Sequence, residues 1–144
     1  MIPNYEGRIA NFTVVDEYVN ALIKELKLSR LKRYLNIAFV DIIDDGQTWG
    51  ICHGETECAF IEIARKDLTR NMTFLERMKV LSHEMVHAKQ YFRGELEERN
   101  RKQYWKGELA ESYNYYTAPW EQEARDLENV LFCKLFPFHM SFKN

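Results

Sequence analysis

The clearest amphipathic pattern in the chain lies between Thr73 and Phe92. Thr73 and Glu76 have the spacing of a capping box, in which each side chain bonds the backbone N–H of the other residue. Gly94 follows the last apolar residues and favours the end of a helix there. Apolar residues recur at steps of three and four and share one side of the predicted helix: Phe74, Leu75, Met78, Leu81, Met85, Ala88 and Phe92.

Two further segments have helical periodicity. Apolar positions recur at helical spacing from Thr13 to Leu35, with a break near residues 28–30 that allows two separate pieces. Another helix is predicted to begin at Pro119, because proline suits a first helical turn, and to end before Pro137. Both segments have one apolar side, so both are expected to pack against the rest of the protein.

Strand patterns separate the first two helical segments. Asn36–Ile43 is rich in β-branched and aromatic residues, and Thr48–His53 and Cys58–Ala64 are predicted as two further strands joined by a hairpin at residues 54–57. Residues 1–11 look irregular, and residues 94–107 are polar without periodicity. Alternation divides the third strand into two faces: Ala59, Ile61 and Ile63 on one, Phe60, Glu62 and Ala64 on the other.

The order of these elements predicts the fold class. We expect one α+β domain spanning residues 1–144, with an N-terminal helix, a small and mostly antiparallel sheet, the helix at 73–92 and a C-terminal helix. Apolar residues make up 46% of the chain and charged residues 29%, which is ordinary for a globular domain with a real core.

Charge and terminal features narrow the classes of partner. The formal net charge of −2 gives no general attraction to nucleic acid or anionic membrane. No apolar run approaches the roughly 18 residues of a membrane span. Residues 1–6 lack the basic and apolar regions of a signal peptide, and three cysteines fit a reducing compartment. These features predict a cytoplasmic protein.

The helix predicted at 73–92 contains His83-Glu84-Met85-Val86-His87, which reads H-E-x-x-H. Residues four apart lie one turn apart on one helix face, so both imidazoles can bind one metal ion. Glu84 falls beside that metal, where its carboxylate can take a proton from bound water. The alternative interpretation is a surface helix with two solvated histidines.

A catalytic zinc usually has three protein ligands and one open position, so a third ligand is needed. The candidates are His53, His139, the cysteines and downstream carboxylates. The helix beginning at Pro119 carries Glu121 and Glu123 in its first turn, and from a helix beside the motif either could reach the metal. Both glutamates could instead favour the positive end of the helix dipole.

A second group of metal-binding residue types lies at Cys52, His53 and Cys58. Its spacing fits no common zinc finger, and the chain has no paired cysteines elsewhere. We therefore interpret these residues as cysteines in the strands and an exposed histidine at a turn.

The motif at 83–87, followed after a loop by Glu121-x-x-Ala124, resembles the gluzincin group of zinc metallopeptidases. The order of elements also resembles small SprT-like and minigluzincin domains. The resemblance implies a zincin-like fold in which His83, His87 and Glu121 hold Zn2+. It implies hydrolysis of peptide bonds in a protein or peptide substrate, by a zinc-bound water activated by Glu84.

Other expectations depend on the same resemblance. A tyrosine after the motif often stabilises the oxyanion; Tyr113, Tyr115 and Tyr116 are the candidates, with Tyr116 preferred. An edge strand binds extended substrate in such domains, and residues 60–63 match it best. Small chains of this kind are frequent in bacteria and phages, which implies the cytoplasm of a bacterium or of a phage-infected cell.

The sequence also departs from these families. SprT-type proteins usually supply a third histidine, and none stands at a fitting place here. Gluzincins often carry an acid four residues after the ligand glutamate, where this chain has Arg125, with Asp126 next to it. With the acid one position later than usual, it stays open which group bonds the ring nitrogen of His83 that does not face the metal. Glu123 also stays an alternative to Glu121 as the third ligand.

Two other functions are compatible with the motif. A non-catalytic zinc-binding interaction or sensor domain would use the metal but would not need Glu84. A SprT-like protease acting on DNA-bound proteins would need a basic or aromatic DNA-binding segment, which the net charge of −2 does not favour.

Overall fold

A computed structural model of the protein describes residues 1–144, in which three helices and seven strands alternate. The elements are β1 (Asn4–Gly7), α1 (Phe12–Glu25), β2 (Tyr34–Val40), β3 (Gly50–Gly54), β4 (Cys58–Ala64), α2 (Phe74–Phe92), β5 (Leu96–Arg99), β6 (Lys102–Trp105), β7 (Glu108–Leu109) and α3 (Pro119–Leu135). A four-stranded sheet has the order β1, β2, β4, β3, and β5, β6 and β7 form a smaller sheet.

The four-stranded sheet is mixed. β1 runs parallel to β2 and β2 runs parallel to β4, whereas β3 returns antiparallel along β4. Parallel neighbours need a crossover, and α1 provides it between β1 and β2. The smaller sheet is entirely antiparallel. The α+β class is therefore confirmed, and antiparallel pairing prevails over the two sheets together although not within the larger one.

The core lies between the larger sheet and the helices. Ala59, Ile61 and Ile63 of β4 are fully buried while Phe60 and Glu62 are exposed, as the alternation predicted, but Ala64 on the second face is fully buried as well. The helices bury large side chains against that inner face. Burial of each such side chain stabilises the fold by about 1.5–3 kcal/mol. The largest of these helical side chains with no exposed surface include Tyr18, Leu22, Met78, Leu81 and Met85.

α2 begins and ends as the sequence predicted. The Thr73 side chain accepts a hydrogen bond from the Glu76 backbone N–H at 3.1 Å, and the Glu76 carboxylate accepts one from the Thr73 N–H at 2.9 Å. The helix ends at Phe92, and Gly94 has a φ of +68°. Its backbone N–H bonds the carbonyl of Tyr91 at 3.0 Å, which closes the last turn.

Several predicted boundaries are wrong. The N-terminal helix ends at Glu25 instead of continuing to Leu35, and Lys27 follows with a left-handed φ of 60°. β2 occupies Tyr34–Val40, earlier than the predicted strand at Asn36–Ile43. The segments at residues 1–11 and 94–107, for which no strand was predicted, contain β1, β5 and β6, and β7 follows directly. The mostly exposed residues of these strands leave no apolar alternation to detect.

The predicted substrate-binding edge strand is also wrong. Residues 60–63 belong to β4, which has β2 on one side and β3 on the other and so has no free edge. β3 is the edge strand on that side, because the hairpin folds it back outside β4.

None of the three helices combines the length and the apolar character needed to cross a membrane.

Candidate metal centre

Two packed helices present the candidate metal ligands to one another. His83 and His87 lie one turn apart on α2, and Glu121 lies in the first turn of α3. Ala124, one turn after Glu121, is fully buried, and its small side chain allows the two helices to approach closely. The Ser82 hydroxyl donates to the Glu128 carbonyl oxygen at 3.0 Å and ties α3 to α2 beside the site.

The three ligand atoms converge on one point. Glu121 Oε2 lies 3.2 Å from His83 Nε2, and Glu121 Oε1 lies 3.0 Å from His87 Nε2. One ligand atom from each residue lies within 4.8 Å of the other two. Zinc bonds of about 2.0–2.2 Å in a tetrahedron separate ligand atoms by roughly 3.4 Å. Two imidazoles and one carboxylate at these distances could hold a single metal ion.

The electrostatics of Glu121 suit a metal ligand. Burial would raise the pKa of its carboxyl, but hydrogen bonds and positive charge from His83 and His87 outweigh burial and lower the pKa to about 2. Glu121 is 8% exposed, and a buried carboxylate in this state needs cationic partners. The two imidazoles are its hydrogen-bond partners here, and a divalent cation at the same position would supply positive charge more strongly.

Glu84 lies beside the three ligands and is almost completely buried. Burial raises the pKa of its carboxyl to about 7, against the opposing charges of His87 and His83. A carboxyl with a pKa near neutrality can both take and give a proton at physiological pH. Glu84 shares a cavity of about 340 Å³ with all three candidate ligands.

The start of β3 forms one wall of that cavity. A Cβ atom built on Gly50 would lie 2.4 Å from Val80 Cγ1 and 3.1 Å from the Glu84 side chain. Glycine at this position lets the edge strand approach α2 closely enough to enclose the Glu84 carboxylate. Ile51 and Cys52 continue the wall beside the ligands.

The tyrosines after the motif occupy different positions. Tyr115 lines the 340 Å³ cavity with the three ligands, and burial followed by the negative charges of Glu121 and Glu84 raises the pKa of its phenol. Tyr116 lines only the adjoining outer cavity and stacks near the Arg125 guanidinium, 5.8 Å from its Cζ. Tyr113 packs edge-on against Trp120. Tyr115, and not the preferred Tyr116, is the tyrosine that shares a cavity with all three ligands.

Glu123 faces away from the histidine pair. Its Oε1 accepts a hydrogen bond from Gln90 Nε2 at 2.9 Å and faces Lys89 Nζ at 3.3 Å. Of the two glutamates in the first turns of α3, the structure thus brings Glu121 to the histidines.

Two residues of the site were missed by sequence reasoning. Gln90 Oε1 lies 2.8 Å from His87 Nδ1, and Glu128 Oε2 lies 3.4 Å from His83 Nδ1. Gln90 is one turn beyond His87, and Glu128 is two turns beyond Glu121 on the same face of α3. A search at helical spacing for partners of each ring's second nitrogen could have found both.

The other metal-binding residue types remain apart. Cys52 and His53 are adjacent in β3 and point to opposite faces, Cys52 buried and His53 exposed. Burial raises the pKa of the Cys52 thiol well above its usual range, with a further contribution from Glu84, so the thiol stays neutral. His83, His87 and Glu121 form the one group that could hold a metal ion.

Comparison of the chain with protein-family models, curated proteins and solved structures gives no match.

Proposed function

We propose that the protein is a zincin-like, zinc-dependent metallopeptidase that hydrolyses peptide bonds. The observation that carries this proposal is the buried Glu84 carboxylate beside the convergent atoms of His83, His87 and Glu121. A structural zinc site needs four protein ligands and no free carboxylate next to them, whereas a catalytic site has three ligands and an open position. The arrangement of three ligands plus one carboxylate favours catalysis.

The ligand set favours zinc as the metal. His83 and His87 would bind through Nε2 and Glu121 through its carboxylate, the two-histidine, one-glutamate set of catalytic zinc sites. When bound, zinc supplies a Lewis acid that polarises a carbonyl and acidifies water.

Glu84 performs the proton transfers in this proposal. Its carboxylate accepts a proton from the attacking water and then delivers that proton to the nitrogen of the leaving amine. Burial raises the pKa of the carboxyl above its usual range, which favours a group that can act as base and then as acid. Gly50 of β3 lies close to the Glu84 side chain and limits the space around it.

A tyrosine supplies the donor for the developing oxyanion. Tyr115 lines the cavity that contains Glu84 and the ligands, which supports its phenol as that donor, and Tyr116 on the outer cavity is the alternative. Separate Tyr115→Phe and Tyr116→Phe variants decide between them, because only loss of the true donor lowers kcat while zinc content is unchanged.

The substrate would bind along β3. This edge strand has a free set of backbone hydrogen-bonding groups, and its residues 50–52 line the candidate site. An extended peptide can pair with such an edge and so bring a backbone carbonyl to the metal.

Metal content tests the proposal first. We expect one zinc per chain in the wild type and loss of zinc in His83→Ala, His87→Ala and Glu121→Ala. Glu123→Ala is the matched control on α3 and should keep zinc. Absence of zinc from the wild type after incubation with it contradicts the proposal.

Hydrolysis then separates enzyme from binding protein. Glu84→Gln should bind zinc like the wild type and lose cleavage of an unfolded protein substrate such as reduced casein. If the wild type holds zinc and cleaves no peptide bond in any denatured protein, the non-catalytic zinc domain becomes the better explanation.

A further inference from the structure

A second cavity lies away from the candidate metal centre, at the ends of the parallel strands. It has a volume of about 480 Å³ and is lined by Phe39, Val40 and Ile63 together with four charged residues. Three of the four are arginines from different parts of the chain, and the fourth is an aspartate: Arg8 after β1, Arg65 after β4, Arg77 in α2, and Asp41 after β2. Cationic side chains therefore outnumber anionic ones by three to one.

The single carboxylate is already engaged. Arg65 Nε donates to Asp41 Oδ1 at 3.1 Å, and the two form an exposed ion pair. The nearest acid on α2, Glu76, is held by Arg70 through two hydrogen bonds at 2.9 and 2.6 Å. Among the ion pairs of the protein none includes Arg8 or Arg77.

Arg77 is the most informative of these residues. Its guanidinium lies 5.7 Å from the Phe74 ring, and its Nε is buried without a hydrogen-bond partner. Burial, and then the charge of Arg65, lowers the pKa of Arg77, and no acid compensates. Arginine stays protonated in proteins, so the unpaired cation must be stabilised by another means. A partly buried charge without a partner costs folding free energy that an anion would recover.

Gly7 allows β1 to approach β2 closely, and Arg8 follows it at the cavity. Gly7 has a φ of +88°, and a Cβ atom there would lie 2.1 Å from the Phe39 carbonyl oxygen. Only glycine permits this contact between β1 and β2, and the next residue after it lines the cavity.

We propose that this cavity binds a phosphate group carrying two negative charges, either inorganic phosphate or a small phosphate monoester. With Arg65 paired to Asp41, the three guanidinium groups and one carboxylate leave two positive charges in excess, which match a dianion better than a monocarboxylate. One guanidinium group can donate two parallel hydrogen bonds to two oxygens of a phosphate. Arginines from separate elements can approach the tetrahedral phosphate from different sides. The apolar wall of Phe39, Val40 and Ile63 leaves room for a small organic substituent.

The site is independent of the proposed peptidase activity. None of its lining residues lines the cavity of the metal ligands. Arg77 precedes Glu84 by two turns of α2, a distance of about 10 Å along the helix axis. A failure of either proposal therefore leaves the other standing.

Titration calorimetry and thermal unfolding with sodium phosphate, at constant ionic strength set with sodium chloride, test the proposal. We expect saturable binding of phosphate to the wild type and a rise in Tm. Arg77→Gln should weaken phosphate binding by about ten-fold or more, since charge-assisted hydrogen bonds are lost. Arg30→Gln removes one exposed arginine outside the cavity and should bind like the wild type.

Two further measurements test the phosphate proposal. Without phosphate, Arg77→Gln should unfold at the same temperature as the wild type or higher, because an uncompensated charge has been removed. Asp41→Asn removes the only acid and should bind phosphate several-fold more tightly, which keeps the test decisive if Arg77→Gln does not fold.

Binding of methyl phosphate and of inorganic phosphate distinguishes a phosphate monoester from the free ion as the ligand of this cavity. Methyl phosphate binding as tightly as inorganic phosphate assigns the cavity to monoesters, whereas binding of inorganic phosphate alone assigns it to the free ion. The proposal is overturned if succinate binds as tightly as phosphate, if phosphate has no effect beyond that of chloride, or if Arg30→Gln loses as much affinity as Arg77→Gln.

Discussion

Glu128 Oε2 lies 3.4 Å from Nδ1 of His83, while Nε2 of the same ring faces Glu121. A carboxylate can only accept a hydrogen bond, so with a metal on Nε2 the proton of this ring would be on Nδ1 and face Glu128. Glu128 reaches the ring from two turns beyond Glu121, so a single helix carries both a candidate ligand and a carboxylate beside another candidate ligand.

Glu128→Gln should lower zinc affinity by roughly ten-fold, the lower end of the effect of losing such a partner. The metal would still bind, because the three ligands remain. Competition with a chromophoric zinc chelator measures the change. Asp126→Asn is the matched control, since Asp126 is an exposed acid on the same helix. Equal affinities for Glu128→Gln and Asp126→Asn would show that the 3.4 Å contact has no such role.

Gln90 has the corresponding role for His87 and also joins the two helices. Its Oε1 lies 2.8 Å from His87 Nδ1, and its Nε2 donates to the Trp120 carbonyl at 3.0 Å and to Glu123. The Gln90 side chain is fully buried, and its bonds to His87 and to the Trp120 carbonyl are shielded from water.

Gln90→Leu keeps the volume and removes the hydrogen bonds. It should lower the free energy of unfolding of the metal-free protein by about 1–3 kcal/mol, because buried polar partners are left unsatisfied. Zinc affinity should fall as well, since the His87 ring loses its orientation. Urea unfolding and chelator competition measure the two effects. Gln122→Leu, at an exposed position of α3, should change neither; a loss of the same size there would contradict the explanation.

The start of α2 makes stability depend on pH. Hydrogen bonds from Arg70, and then from the Thr73 backbone N–H, lower the pKa of Glu76 to about 2. A lowered carboxyl pKa contributes stability above its unfolded value, near 4.5, that is lost as pH falls towards 2. The wild type should therefore lose stability relative to Glu76→Gln between pH 4.5 and pH 2. Both residues are partly exposed, so the effect is small and should shrink in 1 M salt. A constant difference across this range contradicts the assignment.

The parts of the fold that sequence predicts are those with local signals. The capping box, the apolar steps and Gly94 lie within one segment, and α2 begins and ends where they indicate. β4 is equally accurate because one face is buried and the other exposed. β1 and β5–β7 have no such contrast, and their pairing depends on partners distant in the chain.

The candidate site divides in the same way. His83, Glu84 and His87 follow from spacing on one helix, whereas the choice of Glu121 over Glu123 depends on how α3 is rotated against α2. That rotation is fixed by tertiary contacts such as the bond from Gln90 to the Trp120 carbonyl. The tyrosine that enters the cavity depends on the loop before α3, which has no periodic pattern at all.

The close approach of Gly50 to Glu84 provides a test of how the edge strand shapes the site. Gly50→Ala introduces a Cβ 2.4 Å from Val80 Cγ1, and overpacking of this kind costs about 1–3 kcal/mol. The strand must move away from α2, which opens the enclosure around Glu84. We expect lower stability in urea, normal zinc binding, and a lower kcat if the protein is a peptidase.

The double variant Gly50→Ala/Val80→Ala is the control for this contact. Val80→Ala removes the methyl group that the new Cβ atom would meet, so the double variant should recover much of the lost stability. Because Val80→Ala alone costs stability by leaving a void, recovery in the double variant would establish direct contact, whereas additive losses would place the strain elsewhere.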